Sequence, residues 1–289
     1  MLSPESKRRH GDMNLISSHC TLYQELLLGR CIKFCDMEIF SVVILLALSC
    51  VLSTGTSSSL QQPLGAELFE FRPPRANDAG DIATVIVDAF SRAPAWKYVH
   101  QFADEYPGYI RSCLERNIKR TLENNTSSEH VSRVISVPDH TTGSGSRVVS
   151  FSDWQFNRTK SHPDLFTLAM LENGGNCSKH LDSNQTRSED YMKHLKSAVE
   201  THLDNVYERH VYLSLIATHP KWDGNGFAAV HLRWGMGLAD EMELPTTLIA
   251  TPAGYPLYKS VGFEDIYNDT LERLDGEGII WHEVMKHSP

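Results

Sequence analysis

A strand, a glycine turn and a helix follow one another between Val211 and Glu241. The stretch VYLSLIA is apolar and rich in β-forming residues, which is typical of a buried strand. The stretch FAAVHLRWGMGLADE has apolar residues at helical spacing and is preceded by Gly224 and Gly226. Because glycine costs roughly 1 kcal/mol relative to alanine inside a helix, both glycines are expected at the helix start. Such a turn leaves backbone N–H groups unpaired at the positive end of the helix dipole, which favours an anion such as a phosphate.

Two common phosphate sites do not fit this turn. Gly224, Gly226 and Ala229 match the dinucleotide pattern G-x-G-x-x-A, but six residues separate the strand from the first glycine. The next strand, TTLIAT, ends without the Asp or Glu that would bind a ribose. A Walker loop needs Gly-Lys-Ser/Thr, which is absent here. The turn therefore predicts a phosphate-bearing ligand other than a dinucleotide or a Walker-bound nucleotide.

The composition is ordinary for a soluble globular protein, and the chain after its first 35 residues is acidic. The first 35 residues carry five Lys/Arg and three Asp/Glu, which leaves 22 against 33 in the rest. An acidic body argues against general nucleic-acid binding and is compatible with a cationic amine partner. Only Cys113 and Cys177 follow the first 50 residues, which predicts reduced thiols, an intracellular habit and no zinc site.

The N-terminal 65 residues are predicted to be a poorly structured extension. Its apolar segment 39–52 would rise about 21 Å as a helix, short of the roughly 30 Å hydrocarbon core. Signal segment, membrane contact and inaccurate gene model all remain open for it, and a Ser/Gly/Pro-rich linker follows. Six N-glycosylation sequons keep a secretory interpretation open beside the cytoplasmic one. They begin at Asn124, Asn125, Asn157, Asn176, Asn184 and Asn268.

A single domain is predicted for residues 66–289, with 158–190 as an insertion. Periodicity predicts the order β–α–α–β–β–α–β–α–β–α–β–β. Two helical stripes are clear: one on the first helix, and one on the helix after the glycine turn. The first comprises Ile82, Val85, Ile86, Ala89 and Phe90, and the second Phe227, Val230, Trp234, Leu238 and Met242.

The segment from Val211 to Phe263 resembles the GNAT superfamily of N-acetyltransferases. The family's turn pattern Q/R-x-x-G-x-G/A aligns with DGNGFA, which runs from Asp223 to Ala228. Its later pattern Leu-Tyr-x-x-x-Gly-Phe aligns with LYKSVGF, which starts at Leu257. Asp223 replaces the usual Gln or Arg, and Thr251 stands where many relatives have Asn. The elements before Val211 agree with the family in order only.

The resemblance implies a fold, a co-substrate and a reaction. The fold would be α/β, with a mixed, splayed β-sheet flanked by helices on both faces. Acetyl-CoA would be the co-substrate, with no metal. Its pantetheine arm would lie along Leu215, Ile216 and Ala217. Its pyrophosphate would lie on the backbone amides of Gly224, Asn225, Gly226, Phe227 and Ala228.

The catalytic residues are assigned by position. In the family pattern Tyr258 would protonate the departing thiolate, with Tyr255 as the competing candidate. The base that takes the amine proton would be Asp153 or His219, or water alone. Trp154 is expected either at the acceptor pocket or in the core. The stretch HEVMKH lacks the i, i+4 spacing of a helical zinc motif.

The predicted function is therefore direct acetyl transfer from acetyl-CoA to an amine. Small amine, polyamine, amino-sugar and protein N-terminus all remain as acceptors, with a small molecule preferred to a protein. A monomer or a homodimer is expected. The alternative is a non-catalytic coenzyme A-binding or sensor protein.

Overall fold

A computed structural model describes residues 69–124, 130–141, 145–161 and 175–289. The predicted extension 1–65, its apolar segment 39–52 and the start of the domain at residue 66 lie outside these ranges, as does the centre of the predicted insertion. Within the described ranges, no helix combines the length and apolar character needed to cross a bilayer.

The structure is built around one mixed sheet of seven strands in the order β1-β2-β3-β4-β5-β7-β6. Strands β1 to β4 pair antiparallel, β4 and β5 pair parallel, and β5, β7 and β6 pair antiparallel. The strands are β1 Glu70–Arg72, β2 His130–Pro138, β3 Ser146–Arg158, β4 His210–Thr218, β5 Thr246–Ala250, β6 Glu264–Glu272 and β7 Ile279–His287.

Six α-helices accompany the sheet in the described residues. They are α1 Ala79–Phe90, α2 Pro94–Val99, α3 Tyr109–Asn124, α4 Gln185–Val199, α5 Phe227–Glu241 and α6 Tyr255–Ser260. The predicted order and the α/β fold class are confirmed, with α2 as an additional element. Six residues are too few to show a helical period, so α2 left no pattern in the sequence.

Helices cover both faces of the sheet through two apolar layers. On one face Ile82 and Ile86 of α1, together with Ile118 of α3, pack on Val134 and Phe151 of the sheet. The predicted stripe of α1 therefore lies in the core. On the other face α5 and α6 form the second layer with β3, β4, β5 and β7.

The predicted inner face of α5 is rotated by about one position. Gly235 and Leu232 are buried, whereas Met242 is 39% exposed. The ring of Trp154 fills the space beside Gly235, where a Cβ would lie 2.3 Å from a ring atom. Only glycine leaves room for this indole, so Trp154 is a core residue and not part of an acceptor pocket.

The predicted insertion is shorter than expected at both ends. Strand β3 runs to Arg158, and α4 begins at Gln185, where the Asn184 side chain accepts a hydrogen bond from the Arg187 amide. After α4 the chain continues in a π-helical turn, Glu200–Asp204, which ends before the predicted helical position Val206.

A disulfide joins Cys113 of α3 to Cys177, with the two Cα atoms 5.7 Å apart. This corrects the expectation of two reduced thiols. Because the two cysteines are 64 residues apart in the chain, their spacing gave no indication of the bond. The disulfide attaches the 3₁₀ turn Gly175–Lys179, which precedes α4, to α3.

Strands β4 and β5 diverge soon after they begin to pair. Their pairing is limited to Val211 with Thr246 and Tyr212 with Thr247. On its other side β4 carries a bulge, because Leu213 lies opposite Trp154 and Leu215 lies opposite Asp153. Beyond Tyr212 the edge of β4 that faces β5 therefore has no partner strand among the described residues, and the sheet is splayed there as predicted.

Candidate active site

A cavity of about 370 Å³ lies at the point where β4 and β5 diverge. Its floor is formed by the β4 segment 212–216, by Ile249 of β5, by Thr251 directly after β5, and by Tyr258 of α6. Its walls come from α1, α2, α3 and α4, and His282 of β7 completes it. The splay predicted for the sheet thus opens into this cavity.

Tyr258 is the predicted acid, and it lines this cavity. Its ring packs against Phe263 at a centroid distance of 5.7 Å, and a Cβ on Gly254 would lie 2.9 Å from it. Burial raises the pKa of Tyr258, and Tyr212 raises it further. None of the described residues hydrogen-bonds to the Tyr258 hydroxyl, so a neutral phenol is available as a donor in the cavity.

Tyr255, the competing candidate, does not line the cavity. Its hydroxyl donates to Asp265 Oδ2 at 3.2 Å on the exposed side of α6. Of the two tyrosines, only Tyr258 meets the space beside β4.

The predicted cofactor strand contributes two of its three residues to the cavity. Leu215 and Ile216 line it, whereas Ala217 is buried against the layer of α1 and α3. Next to them, the Ser214 Oγ is buried and has no hydrogen-bond partner among the described residues. An unpartnered hydroxyl and an unpaired strand edge are what an extended amide-bearing arm needs in order to bind by backbone-type hydrogen bonds.

The glycine turn has the geometry that the sequence predicted. Gly224 and Gly226 have φ of +83° and +76°, and Gly226 directly precedes α5. In the described chain, the amides of Gly224, Asn225 and Gly226 donate no hydrogen bond. Asn225 instead holds the turn by donating its Nδ2 to the Trp222 carbonyl at 3.0 Å. These free amides lie at the N-terminus of a 15-residue helix.

The two other predicted cofactor residues begin this helix. The Phe227 side chain is buried and contacts the rings of Phe69 and Trp222, so only its backbone amide remains for a ligand. Ala228 follows in the first turn of α5, where a small side chain leaves the approach to the amides unobstructed.

Asp223, the departure from the family pattern, has a cationic partner. Its Oδ2 lies 3.1 Å from a guanidinium nitrogen of Arg92, which follows α1. Both side chains are more than half exposed, so this ion pair is worth at most about 1 kcal/mol. Arg92 nevertheless places a positive charge beside the turn, which offsets the carboxylate near a bound phosphate.

Neither predicted base lines the cavity. Asp153 is buried in β3 and accepts a hydrogen bond from Ser132 Oγ at 2.8 Å. Nε2 of His219 lies 3.2 Å from Asp88, and its Nδ1 accepts from the Lys221 amide. Both side chains therefore have structural partners at positions outside the cavity lining.

Asp153 is expected to make the stability of the fold depend on pH. Burial raises its pKa to about 7, against the hydrogen bonds from Ser132 and the Trp154 amide. A folded-state pKa above the unfolded value of 3.8 means that stability is lost as pH rises through about 7. We expect Asp153→Asn to remove this loss, because Asn accepts the same hydrogen bond and does not ionise.

Urea unfolding of the full chain between about pH 5 and pH 9 measures the effect. The variant should gain stability relative to wild type as pH rises. A constant difference between the two proteins across this range would contradict the assignment.

The cavity contains titratable residues that the sequence did not single out. His100 Nδ1 lies 2.7 Å from Asp182 Oδ2, and the Tyr191 hydroxyl lies 3.0 Å from His282 Nε2. Burial lowers the pKa of His282 to about 4, and His194 lowers it further. The partners of the first pair are 82 positions apart and those of the second 91, so no local motif marks them. His282 itself lies on β7, which places HEVMKH on a strand.

Comparison with known proteins gives similarity to solved structures only. No protein-family model and no curated protein matches the chain. A Corynebacterium glutamicum structure described as histone acetyltransferase HPA2 and related acetyltransferase is 16% identical, with a TM-score of 0.47 over 76% of this chain and 96% of that one. A mosquito arylalkylamine N-acetyltransferase-like 5b is 14% identical, with a TM-score of 0.46 over 77% and 100%. Arabidopsis thaliana NAA60 in complex with acetyl-CoA is 11% identical, with a TM-score of 0.40 over 76% and 98%.

Proposed function

We propose that this chain is an N-acetyltransferase of the GNAT kind, which transfers an acetyl group directly from acetyl-CoA to an amine. One observation carries the proposal: the free edge of β4, the Tyr258 hydroxyl and a single cavity meet where β4 and β5 diverge. The glycine turn follows the same strand at its C-terminal end. The acetyltransferase domain is proposed to span residues 66–289.

Acetyl-CoA fits the groups that this site leaves unsatisfied. The pantetheine amides would pair with the β4 edge at Leu215, Ile216 and Ala217, next to the unpartnered Ser214 Oγ. The pyrophosphate would bind the amides from Gly224 to Ala228, supported by the dipole of α5. This donor set needs no metal.

The reaction replaces the carbon–sulfur bond of the thioester by a carbon–nitrogen bond, and it requires two proton transfers. The thioester supplies an activated acetyl carbon, which the amine nitrogen attacks as the carbon–sulfur bond breaks. The backbone N–H groups of the free β4 edge would stabilise the charge on the carbonyl oxygen. Tyr258 would donate its proton to the sulfur, which leaves as the thiol. We propose direct transfer, since the two cysteines of the described residues, Cys113 and Cys177, form a disulfide and neither is free to carry an acetyl group.

The rival function is coenzyme A binding without turnover, as in a sensor. Asp223 is its main support, because a carboxylate beside a pyrophosphate weakens binding. The ion pair with Arg92 reduces that repulsion, and a buried, unpartnered phenol at Tyr258 has no obvious use in a sensor. We therefore favour the enzyme.

Substitution of Gly226 by Trp should abolish detectable acetyl-CoA binding. Gly226 has a positive φ and open space around its missing Cβ, so an indole would be strained and would also project into the anion position. Calorimetric titration of the full chain with acetyl-CoA measures this effect. Wild type should bind about one equivalent.

Gly276 provides the matched control for this variant. It also has a positive φ and open space around it, but it lies in the turn between β6 and β7. Gly276→Trp should therefore bind acetyl-CoA like wild type. Equal affinity in the two variants, or no binding by wild type, would count against the phosphate turn.

For the compartment, we propose the cytoplasm, because acetyl-CoA is supplied there. Cys113 and Cys177 form a disulfide, so they do not provide the reduced thiols that would support an intracellular location. Two sequon side chains donate hydrogen bonds from Nδ2 that a glycan on the same nitrogen would have to accommodate. Asn184 Nδ2 donates to Gln101 at 3.0 Å, and Asn268 Nδ2 donates to Glu283 at 2.8 Å. Glycan analysis and N-terminal sequencing of the mature chain test this point.

A further inference from the structure

We propose that the helix-walled part of the cavity is the acceptor site, that its acceptor is a primary amine on an apolar, aromatic skeleton, and that His100, oriented by Asp182, takes the amine proton. This rests on the proposed function and adds to it the acceptor class and the base. It departs from the sequence-based candidates Asp153 and His219, which lie outside the cavity lining.

The lining of the cavity selects the acceptor. Among the described residues that line it, there is no Asp, Glu, Lys or Arg. Its helix-borne surface is instead aromatic and aliphatic, with Phe90, Trp96, Leu114, Tyr191 and Met192 as members. An aromatic ring of the acceptor would bury its apolar surface there without leaving polar groups unpaired.

The other acceptor classes fit this lining poorly. A polyamine carries further ammonium groups, each of which needs a carboxylate that the lining does not offer. An amino-sugar would place several hydroxyls against aliphatic and aromatic side chains such as Ile86, Phe90 and Leu114, which offer them no hydrogen bond. The chain as a whole has an excess of acidic residues, but the cavity lining does not share it.

The same apolar surface makes a base necessary. An ordinary alkylamine is protonated at neutral pH, and an ammonium ion loses solvation when it enters an apolar cavity. Only the neutral amine has the lone pair that attacks the acetyl carbon. A proton acceptor inside the cavity removes the charge that is costly to bury and also frees the lone pair that attacks.

His100 has the partner and the free nitrogen that a base requires. Its Nδ1 is 2.7 Å from Asp182 Oδ2 and donates to that carboxylate, so in the neutral imidazole the lone pair is on Nε2. Among the described residues, no group hydrogen-bonds to His100 Nε2. The Trp96 ring packs on the imidazole at a centroid distance of 4.1 Å and restricts its rotation.

Asp182 is positioned to stabilise the protonated ring. Its carboxylate is fully buried and does not itself line the cavity. Its Oδ1 has no hydrogen-bond partner in the described chain, so among the described residues His100 is the side chain that hydrogen-bonds to this carboxylate. The backbone carbonyl of Asp182 accepts from the Phe102 amide at 2.9 Å, which joins its segment to the chain that follows α2.

The second histidine pair of the cavity is unsuited to this role. His282 Nε2 already faces the Tyr191 hydroxyl at 3.0 Å, which occupies the nitrogen that would take a proton. His180 also lines the cavity, but no carboxylate is within ion-pair distance of it among the described residues. The titratable groups around His100 are thus Asp182 and His180 before α4, Tyr191 of α4 and His282 of β7.

The proposed step balances in atoms and protons. The amine nitrogen forms a bond to the acetyl carbon, and the carbon–sulfur bond breaks. The ammonium ion gives one proton to His100 Nε2 before the attack, and His100 releases it to solvent. During the attack the nitrogen gives a second proton to His100 Nε2, and the Tyr258 hydroxyl gives one to sulfur. His100 then returns its proton through solvent, and Tyr258 regains one, so that amide and thiol are the products.

The test uses the full chain, acetyl-CoA and 2-phenylethylamine, with thiol release and amide mass as readouts. We expect 2-phenylethylamine to be acetylated with a much larger kcat/KM than spermidine or glucosamine. His100→Gln should lower kcat about 100-fold or more, with unchanged acetyl-CoA affinity. His202→Gln changes a histidine that stacks on Tyr267 outside the cavity lining, and it should retain wild-type kcat.

A weakly basic acceptor separates proton removal from a structural role. The amine of 2,2-difluoro-2-phenylethylamine is largely neutral at assay pH and has nearly the same shape. His100→Gln should lose much less kcat with this acceptor, and raising the pH should restore part of its activity towards 2-phenylethylamine. Asp182→Asn keeps the shape of the side chain beside His100 but removes its charge. It should also lower kcat more with 2-phenylethylamine than with the difluoro analogue, by a smaller factor than His100→Gln.

The outcomes distinguish the two proposals. Acetylation of spermidine or glucosamine in preference to 2-phenylethylamine would overturn the acceptor class while leaving acetyl transfer intact. Equal losses of kcat with both phenylethylamines would overturn the role of His100 as base. No acetylation of any amine, despite acetyl-CoA binding, would overturn the proposed function and this inference with it.

Discussion

Tyr258→Phe is expected to lower kcat for acetyl transfer by about 100-fold or more, while acetyl-CoA affinity stays within a factor of two. The phenol is the only neutral donor that the structure brings to the β4 edge from α6, and its hydroxyl has no partner among the described residues. Removing it takes away the proton for the thiolate and leaves the apolar ring contacts with Phe263 intact.

Stability serves as the internal check on this variant. No hydrogen bond is lost within the described protein, so the free energy of unfolding should be unchanged. Tyr255→Phe is the matched control, because that hydroxyl bonds to Asp265 on the surface and should not affect kcat. A Tyr258→Phe protein with wild-type kcat would show that the sulfur takes its proton from solvent.

Asp204→Ala is expected to destabilise the fold by about 3–5 kcal/mol. The guanidinium of Arg158 donates two hydrogen bonds of 2.8 Å to the Asp204 carboxylate, and His210 lies 3.1 Å from it. All three side chains are at most 5% exposed. Loss of the carboxylate would remove two charge-assisted hydrogen bonds from a buried guanidinium that lies over the Tyr212 ring, which lines the cavity.

The pH dependence of this network has a defined sign. Burial alone would raise the pKa of Asp204, but the hydrogen bonds from His210 and Arg158 outweigh it and lower the pKa below 3.8. The stabilisation is therefore present above the unfolded pKa and is lost as pH falls through the folded one. Urea unfolding near pH 7 should show the full difference between Asp204→Ala and wild type, and the difference should shrink in acid.

Asp265→Ala is the control for the buried network. Asp265 forms an exposed ion pair with Lys259, which solvent screens. Its loss should change stability far less than the loss of Asp204. Equal effects at the two positions would contradict the energetic assignment of the buried network.

Local patterns predicted most of the elements because their residues repeat at the period of the structure they form. The stripe of α1 and the apolar run of β4 are examples, and both are in the core. The glycine turn was equally readable, since a positive φ at Gly224 and Gly226 suits glycine alone. The inner face of α5 was misjudged because the deciding residue, Trp154, is on a different element.

The residues that tertiary structure brings together could not be predicted. The Cys113–Cys177 disulfide and the His100–Asp182 pair each join positions more than sixty residues apart. Neither has a local spacing that distinguishes it from ordinary residues of the same types. Similarly, Asp153 and His219 are near the cofactor strand, but their partners Ser132 and Asp88 hold them away from the cavity.

The most direct test of the account is a measurement of thiol release from acetyl-CoA by the full chain, with and without 2-phenylethylamine. The account predicts saturable release that depends on the amine, with one acetamide formed for each thiol. Binding of acetyl-CoA without amine-dependent release, across primary amines of every class, would contradict the enzyme and favour the coenzyme A-binding alternative.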